Sequence, residues 1–133
     1  MSGTLAYLDE RDAGYEVIKQ TYRRLVDKVE AYQLEGGLYS WQLGAKDGPV
    51  DTSATGMILY SIAQSLENKV LIGIHKSRMV RGRDALLGSV KDGKIYGALA
   101  ECQGFSMYPQ VYGAYPWSMG PALSLLAMIG EEE

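Results

Sequence analysis

The sequence predicts an all-α fold of about four helices arranged as two hairpins. Three observations carry this. Two segments show apolar residues at helical spacing along one side, and two others are apolar on nearly every side. The two kinds alternate along the chain as outer, inner, outer, inner. Long connections at about 34–51 and 92–117 flank a short one at about 67–71, so both long loops fall at the same end of the helix pairs.

The first helix is expected over 12–33, where Tyr15, Ile18, Tyr22, Leu25, Val26, Val29 and Tyr32 make one face and Glu16, Lys19, Arg23, Arg24, Asp27 and Lys28 fill the rest. The second spans 52–67, with Met57, Ile58, Leu59, Tyr60, Ile62, Ala63 and Leu66 around the whole circumference, the pattern of a buried helix. A third, about 71–91, is amphipathic again, setting Ile72, Met79, Leu86, Leu87 and Val90 against Lys76, Arg78, Arg81, Arg83 and Asp84. After a turn at "KDGK", the stretch "GPALSLLAMIG" makes a fourth helix over 120–130 with almost no polar residue.

The 133 residues are read as one domain, 1–133. A formal charge of −3 without a basic stripe argues against nucleic acid as a partner. No apolar run reaches the roughly eighteen residues needed to cross a bilayer, so no membrane partner is expected. The stretch Met1 to Glu10 lacks the basic start and apolar core of a signal peptide, and the expected location is cytoplasmic. The lone Cys102 excludes an internal disulfide and is expected to be a buried small hydrophobe. The only histidine, His75, lies among basic neighbours and is expected at the surface or partly packed. No GxGxxG, Walker or HExxH motif is present, so no cofactor and no metal are expected.

Candidate chemistry concentrates in the two long loops, since connections of this length are usually functional. They hold Tyr39, Trp41, Gln42, Asp47, Asp51, Glu101, Gln103, Tyr108, Gln110, Tyr112, Tyr115 and Trp117. Aromatic faces cover the C–H faces of sugar rings, while Gln, Asp and Tyr hydroxyls supply directional hydrogen bonds, a mixture that suits a carbohydrate. The plainer alternative is that these aromatics pin loops over the end of a helix bundle. In "DTSAT", Asp51, Thr52 or Ser53 can cap the second helix. A ligand contact for Asp51 stands beside that reading, because the helix entrance opens on the aromatic loops. As an acid–base pair, Asp51 and Glu101 rank below capping for the one and solvent exposure for the other.

The stretches "GLYSWQLGAKDGPVDTSATGMILYSIAQSLE" and "GFSMYPQVYGAYPWSMGPALSLLA" resemble the C-terminal part of the unsaturated glucuronyl and rhamnogalacturonyl hydrolases, glycoside hydrolase families 88 and 105. The likeness spans about residues 15–130 and is carried by Trp41-Gln42, by Asp51 to Thr55 and by Gly120-Pro121. It implies that the helices form part of an (α/α)6 barrel. It also implies hydration of a Δ4,5-unsaturated uronyl residue by an aspartate acting as general acid and base, with no metal or organic cofactor. The family's catalytic aspartate belongs to the N-terminal half and has no counterpart here, so no catalytic residue carries over. What carries over is a sugar-facing wall: Trp41 and Gln42, and the second-loop aromatics Tyr108, Tyr112, Tyr115 and Trp117. The chain then reads as a truncated frame, a domain or a split descendant of such a hydrolase, inactive alone. A stand-alone helical module binding glycans or protein is the alternative. Two amphipathic helices cannot cover two apolar ones, so self-association is expected, as a two-fold dimer or a three-fold ring of four-helix units.

Overall fold

The computed structural model describes residues 1–72, 76–104 and 110–130. Five helices dominate: α1 (Ser2–Tyr7), α2 (Tyr15–Glu30), α3 (Thr52–Glu67), α4 (Lys76–Gly88) and α5 (Pro116–Ile129). Between them run six two-residue strands, β1 (Tyr39–Ser40), β2 (Val50–Asp51), β3 (Val90–Lys91), β4 (Lys94–Ile95), β5 (Ala98–Leu99) and β6 (Tyr112–Gly113). Among the described residues they pair as three antiparallel ladders, β1 with β2, β3 with β4 and β5 with β6.

The second helix lies where expected, and its sequence explains its central place. Leu59 and Ile62 are fully buried, each removing enough apolar area to stabilise the fold by about 1.5–3 kcal/mol. Gly56 lets α5 approach closely, since a Cβ there would stand 3.2 Å from the backbone nitrogen of Ala122. Gly82 does the same for α4, where a side chain would run into Leu59. The helices α1, α4 and α5 all pack on α3. The amphipathic α2 reaches α3 through a polar contact: the Tyr22 hydroxyl donates to Ser61 O at 3.0 Å and accepts from Ser65 Oγ at 2.9 Å.

Several boundaries differ from the sequence expectation. The first helix is shorter at both ends, and on its expected face Leu25 and Tyr32 are exposed while Tyr15, Tyr22 and Val26 are buried. The third begins at Lys76 and ends at Gly88, so Ile72 and Val90 do not belong to it, and both are exposed, as is Leu87. Asp92 and Gly93 both adopt positive φ, 49° and 71°, the two-residue turn that demands paired strands on either side. That demand converts Val90 into β3. The fourth helix starts four residues earlier than expected, at Pro116, with Tyr115 as its N-cap. Pro121, expected near the helix start, sits inside it, because Pro116 is the better-placed first residue, its fixed φ preset for a first turn and its missing N–H no loss there. The helix α1 had no sequence expectation. Leu5 buries it, and Ser61 Oγ donates to Ser2 Oγ at 2.9 Å. Cys102 is exposed, contrary to expectation: it follows the end of β5 and meets no core. His75 lies outside the described residues.

No helix of the described residues is long and apolar enough to cross a membrane.

Candidate functional site

The two long loops meet at the N-terminal end of α3. The strand β1 pairs with β2 so that Tyr39 stands opposite Asp51, and β2 runs directly into the helix. Trp41 and Gln42 open the excursion between these strands. The Trp41 amide donates to Pro49 O at 3.1 Å and the Ala45 amide to Gln42 O at 2.8 Å, which folds the excursion back on itself. Trp41 is half-buried and Gln42 exposed.

Asp51 is buried and caps α3. Its Oδ1 accepts from the Ser53 amide at 2.9 Å, from Ser53 Oγ at 2.6 Å and from the Leu99 amide of β5 at 3.3 Å. Capping satisfies an amide that the first helical turn cannot pair internally and sets a carboxylate at the positive end of the helix. The third bond goes beyond capping, because it ties the second loop to the first. Three more bonds tighten the junction. Thr55 Oγ1 donates to Asp51 O at 2.8 Å and accepts from the Tyr39 amide at 2.9 Å, and the Thr52 amide donates to Gly97 O at 3.1 Å.

The second loop is built on the β5–β6 ladder, in which Leu99 faces Tyr112. Tyr112 is half-buried and its hydroxyl donates to Gln110 Oε1 at 3.0 Å. Burial, and secondarily the Asp51 carboxylate, push its phenol above the ordinary tyrosine range. Tyr115 and Trp117 stack on each other, ring centroids 4.7 Å apart and planes 8° from parallel. The indole Nε1 of Trp117 donates to Leu99 O at 3.0 Å. The stack and this hydrogen bond tie β5 to the start of α5.

The structure thus gathers Asp51, Tyr112, Tyr115 and Trp117 around Leu99, with Trp41 and Gln42 on the same hairpin as Asp51. Tyr108 lies outside the described residues. Glu101 is exposed two residues past Leu99. Leu99 was not foreseen, and its contribution is main-chain only, one N–H to Asp51 and one C=O to Trp117, which leaves no side-chain signature to read. A groove of about 840 Å3 lies elsewhere, between Gly36 and the α4 residues Val80, Arg81 and Asp84, and none of the candidate residues lines it. Among the described residues no three His, Cys, Asp or Glu side chains are placed to hold a metal. Chemically, the loop end offers aromatic faces, amide groups and a phenol, donors and acceptors suited to a hydroxyl-rich ligand.

Crystal structures that share this fold include the following two. One, described as a possible member of GH105 family from Salmonella enterica subsp. enterica serovar Paratyphi A, aligns with a TM-score of 0.74 at 16% identity over 91% of this chain and 33% of that one. Another, described in the same words and from Klebsiella pneumoniae subsp. pneumoniae, aligns with a TM-score of 0.76 at 13% identity over 91% of this chain and 32% of that one. The chain spans about a third of the length of these structures. No curated protein matches it. Its kinship is decided by sequence, because the Glycosyl Hydrolase Family 88 profile matches residues 1–129, and on that match the chain belongs to Glycosyl Hydrolase Family 88.

Proposed function

We propose that this chain is the C-terminal portion of an unsaturated-uronyl hydrolase, carrying part of the sugar-binding wall but not the acid–base aspartate. In this reading α2–α3 and α4–α5 are two outer–inner hairpins of an (α/α)6 barrel, and the loops joined at Asp51 face the saccharide. Trp41 gives an apolar face to a sugar ring, and Gln42 and Tyr112 hydrogen-bond its hydroxyls, with Tyr115 and Trp117 holding the second loop in place. The observation that supports it most is the meeting of both aromatic loops at one helix entrance in a chain of this family. Asp51 is a positioning residue here: its Oδ1 is occupied by three donors. The reading includes a cytoplasmic location, with which the exposed free thiol of Cys102 agrees.

The chain alone is expected not to hydrate unsaturated uronyl disaccharides, followed as loss of the ultraviolet absorbance of the ring double bond. Turnover by the wild type that disappears in Asp51→Asn would overturn this and make Asp51 catalytic. Binding of the same disaccharide, measured by titration calorimetry, is expected to weaken by about 1–3 kcal/mol in Trp41→Ala, the scale of a lost buried aromatic contact. Unchanged affinity with the fold intact would assign Trp41 to loop packing.

A further inference from the structure

Asp51 has two carboxylate oxygens, and the junction between the loops uses one of them. Its Oδ1 takes three donors, the Ser53 amide, Ser53 Oγ and the Leu99 amide. Among the described residues Oδ2 takes none, and it is not one of the buried oxygens left without a partner, which are Gln33 Oε1, Tyr39 Oη and Thr52 Oγ1. Oδ2 therefore keeps access to solvent in a residue only 7% exposed. A carboxylate drawn this far from water needs donors on its remaining lone pairs, and hydroxyl-rich ligands supply donors. Tyr112 stands close enough for the Asp51 charge to act on its phenol, and its hydroxyl proton is committed to Gln110 Oε1. The phenol is left to present its oxygen, so both groups offer acceptors.

The charges around the loops point the same way. From Ile95 to Gly130 the sequence has no Lys, Arg or His, and its one charged residue is Glu101. The remaining loop lysines are Lys46, on the excursion between β1 and β2, and Lys91 and Lys94, on the β3–β4 hairpin. All three are exposed, and among the described residues none pairs with Asp51. An anionic ring laid here meets a carboxylate with no cation to neutralise the two, and like charges brought together in a partly buried site repel. An uncharged ring meets two acceptors and the aromatic faces. We infer that Asp51 is a specificity residue: its Oδ2 accepts a hydroxyl from an uncharged sugar ring, and its charge keeps carboxylated or sulfated rings off this wall. The inference deepens the saccharide reading and rests on it: of an unsaturated uronyl disaccharide, this chain takes the uncharged ring. Positioning through Oδ1 and recognition through Oδ2 are compatible, because the two oxygens serve different partners.

Titration calorimetry on the whole chain at low salt compares two ligands. One is an unsaturated uronyl disaccharide whose second ring is galacturonic acid, and the other is the same disaccharide with that ring's carboxyl group methyl-esterified. The ester is the larger molecule, so tighter binding of it reports charge and not fit. The ester is expected to bind about tenfold more tightly than the acid, or better. Asp51→Asn keeps an acceptor and loses the charge, and in this variant the ratio is expected to fall below about threefold. A residue that only held the loops together would weaken both ligands alike and leave the ratio standing. In the wild type, raising NaCl from about 20 to about 500 mM is expected to narrow the ratio, a measurement that needs no variant to fold. An acid bound as tightly as the ester overturns this inference and leaves the saccharide reading intact. So does a ratio that neither salt nor a folded Asp51→Asn changes. Binding of neither ligand overturns the saccharide reading, and this inference with it.

Discussion

Tyr39 is fully buried, and among the described residues its hydroxyl has no hydrogen-bond partner. Burial, reinforced by the nearby Glu30 charge and opposed by Arg78 and Arg81, pushes its phenol up to about 12 from the ordinary 10.0. Above pH 10 the unfolded chain loses this proton first, so the stability present below pH 10 is lost as the pH rises towards 12, by on the order of 2 kcal/mol. Urea unfolding of wild type and Tyr39→Phe across that window should show the slope in the first and a shallower one in the second. At neutral pH the same substitution removes an unpaired buried hydroxyl and should leave stability equal or slightly higher. Asp51→Ala should cost about 1–2 kcal/mol as a lost cap, and more if the bond to Leu99 matters, whereas Asp51→Asn keeps an acceptor and should cost less. Thermal melts of the two variants would rank them. The capping role of Asp51 was legible in "DTSAT" because side-chain capping is local. Its bond to Leu99 was not, since it joins residues 48 apart in sequence.

At the scale of elements, helices with strong apolar patterns were legible and their ends were not. The second helix was read to the residue because a capping Asp precedes it and an apolar run fills it. The limits of α4 and α5 depended on choices between equally plausible signals, Gly88 against a continuing apolar period and Pro116 against Pro121. The short ladders escaped notice because strands of two residues show no alternation to detect. The α3–α5 crossing at Gly56 gives a direct prediction. Gly56→Ala gains helix propensity worth up to about 1 kcal/mol but presses a methyl group against the α5 backbone at a 3.2 Å separation. The crossing should win, with a net loss of roughly 1 kcal/mol or more in chemical denaturation. A Gly56→Ala variant more stable than wild type would mean that α5 shifts freely on α3.

For the molecule as a whole, the alternation of amphipathic and apolar helices is where the sequence spoke most clearly, and it is also what leaves the fold open on one side. Self-association, as the helix pattern leads one to expect, would link stability to concentration, because a partner that binds only the folded chain shifts unfolding by mass action. The melting temperature should rise with protein concentration in the wild type and become independent of it in Leu123→Glu. Concentration-independent melting of the wild type would place all of its stability within one chain. The helix pattern announced an uncovered apolar face, but not which residues would stand on it, since the exposure of Met57 and Leu123 is set by packing.

The clasp between the two loops carries a consequence for how this surface can change. Asp51 holds β5 at Leu99, Trp117 holds it from α5, and the Ala100 amide closes the ladder onto Val111 O at 2.8 Å. Everything inward of that clasp is committed to holding the helix ends together. Glu101, Cys102, Gln103 and Gly104, exposed just outside it, can vary in length and composition without disturbing what anchors them. Insertions, grafted peptides or whole replacement loops should be tolerated there and rejected one residue further in, which makes the clasp the boundary between an inherited frame and an interchangeable tip.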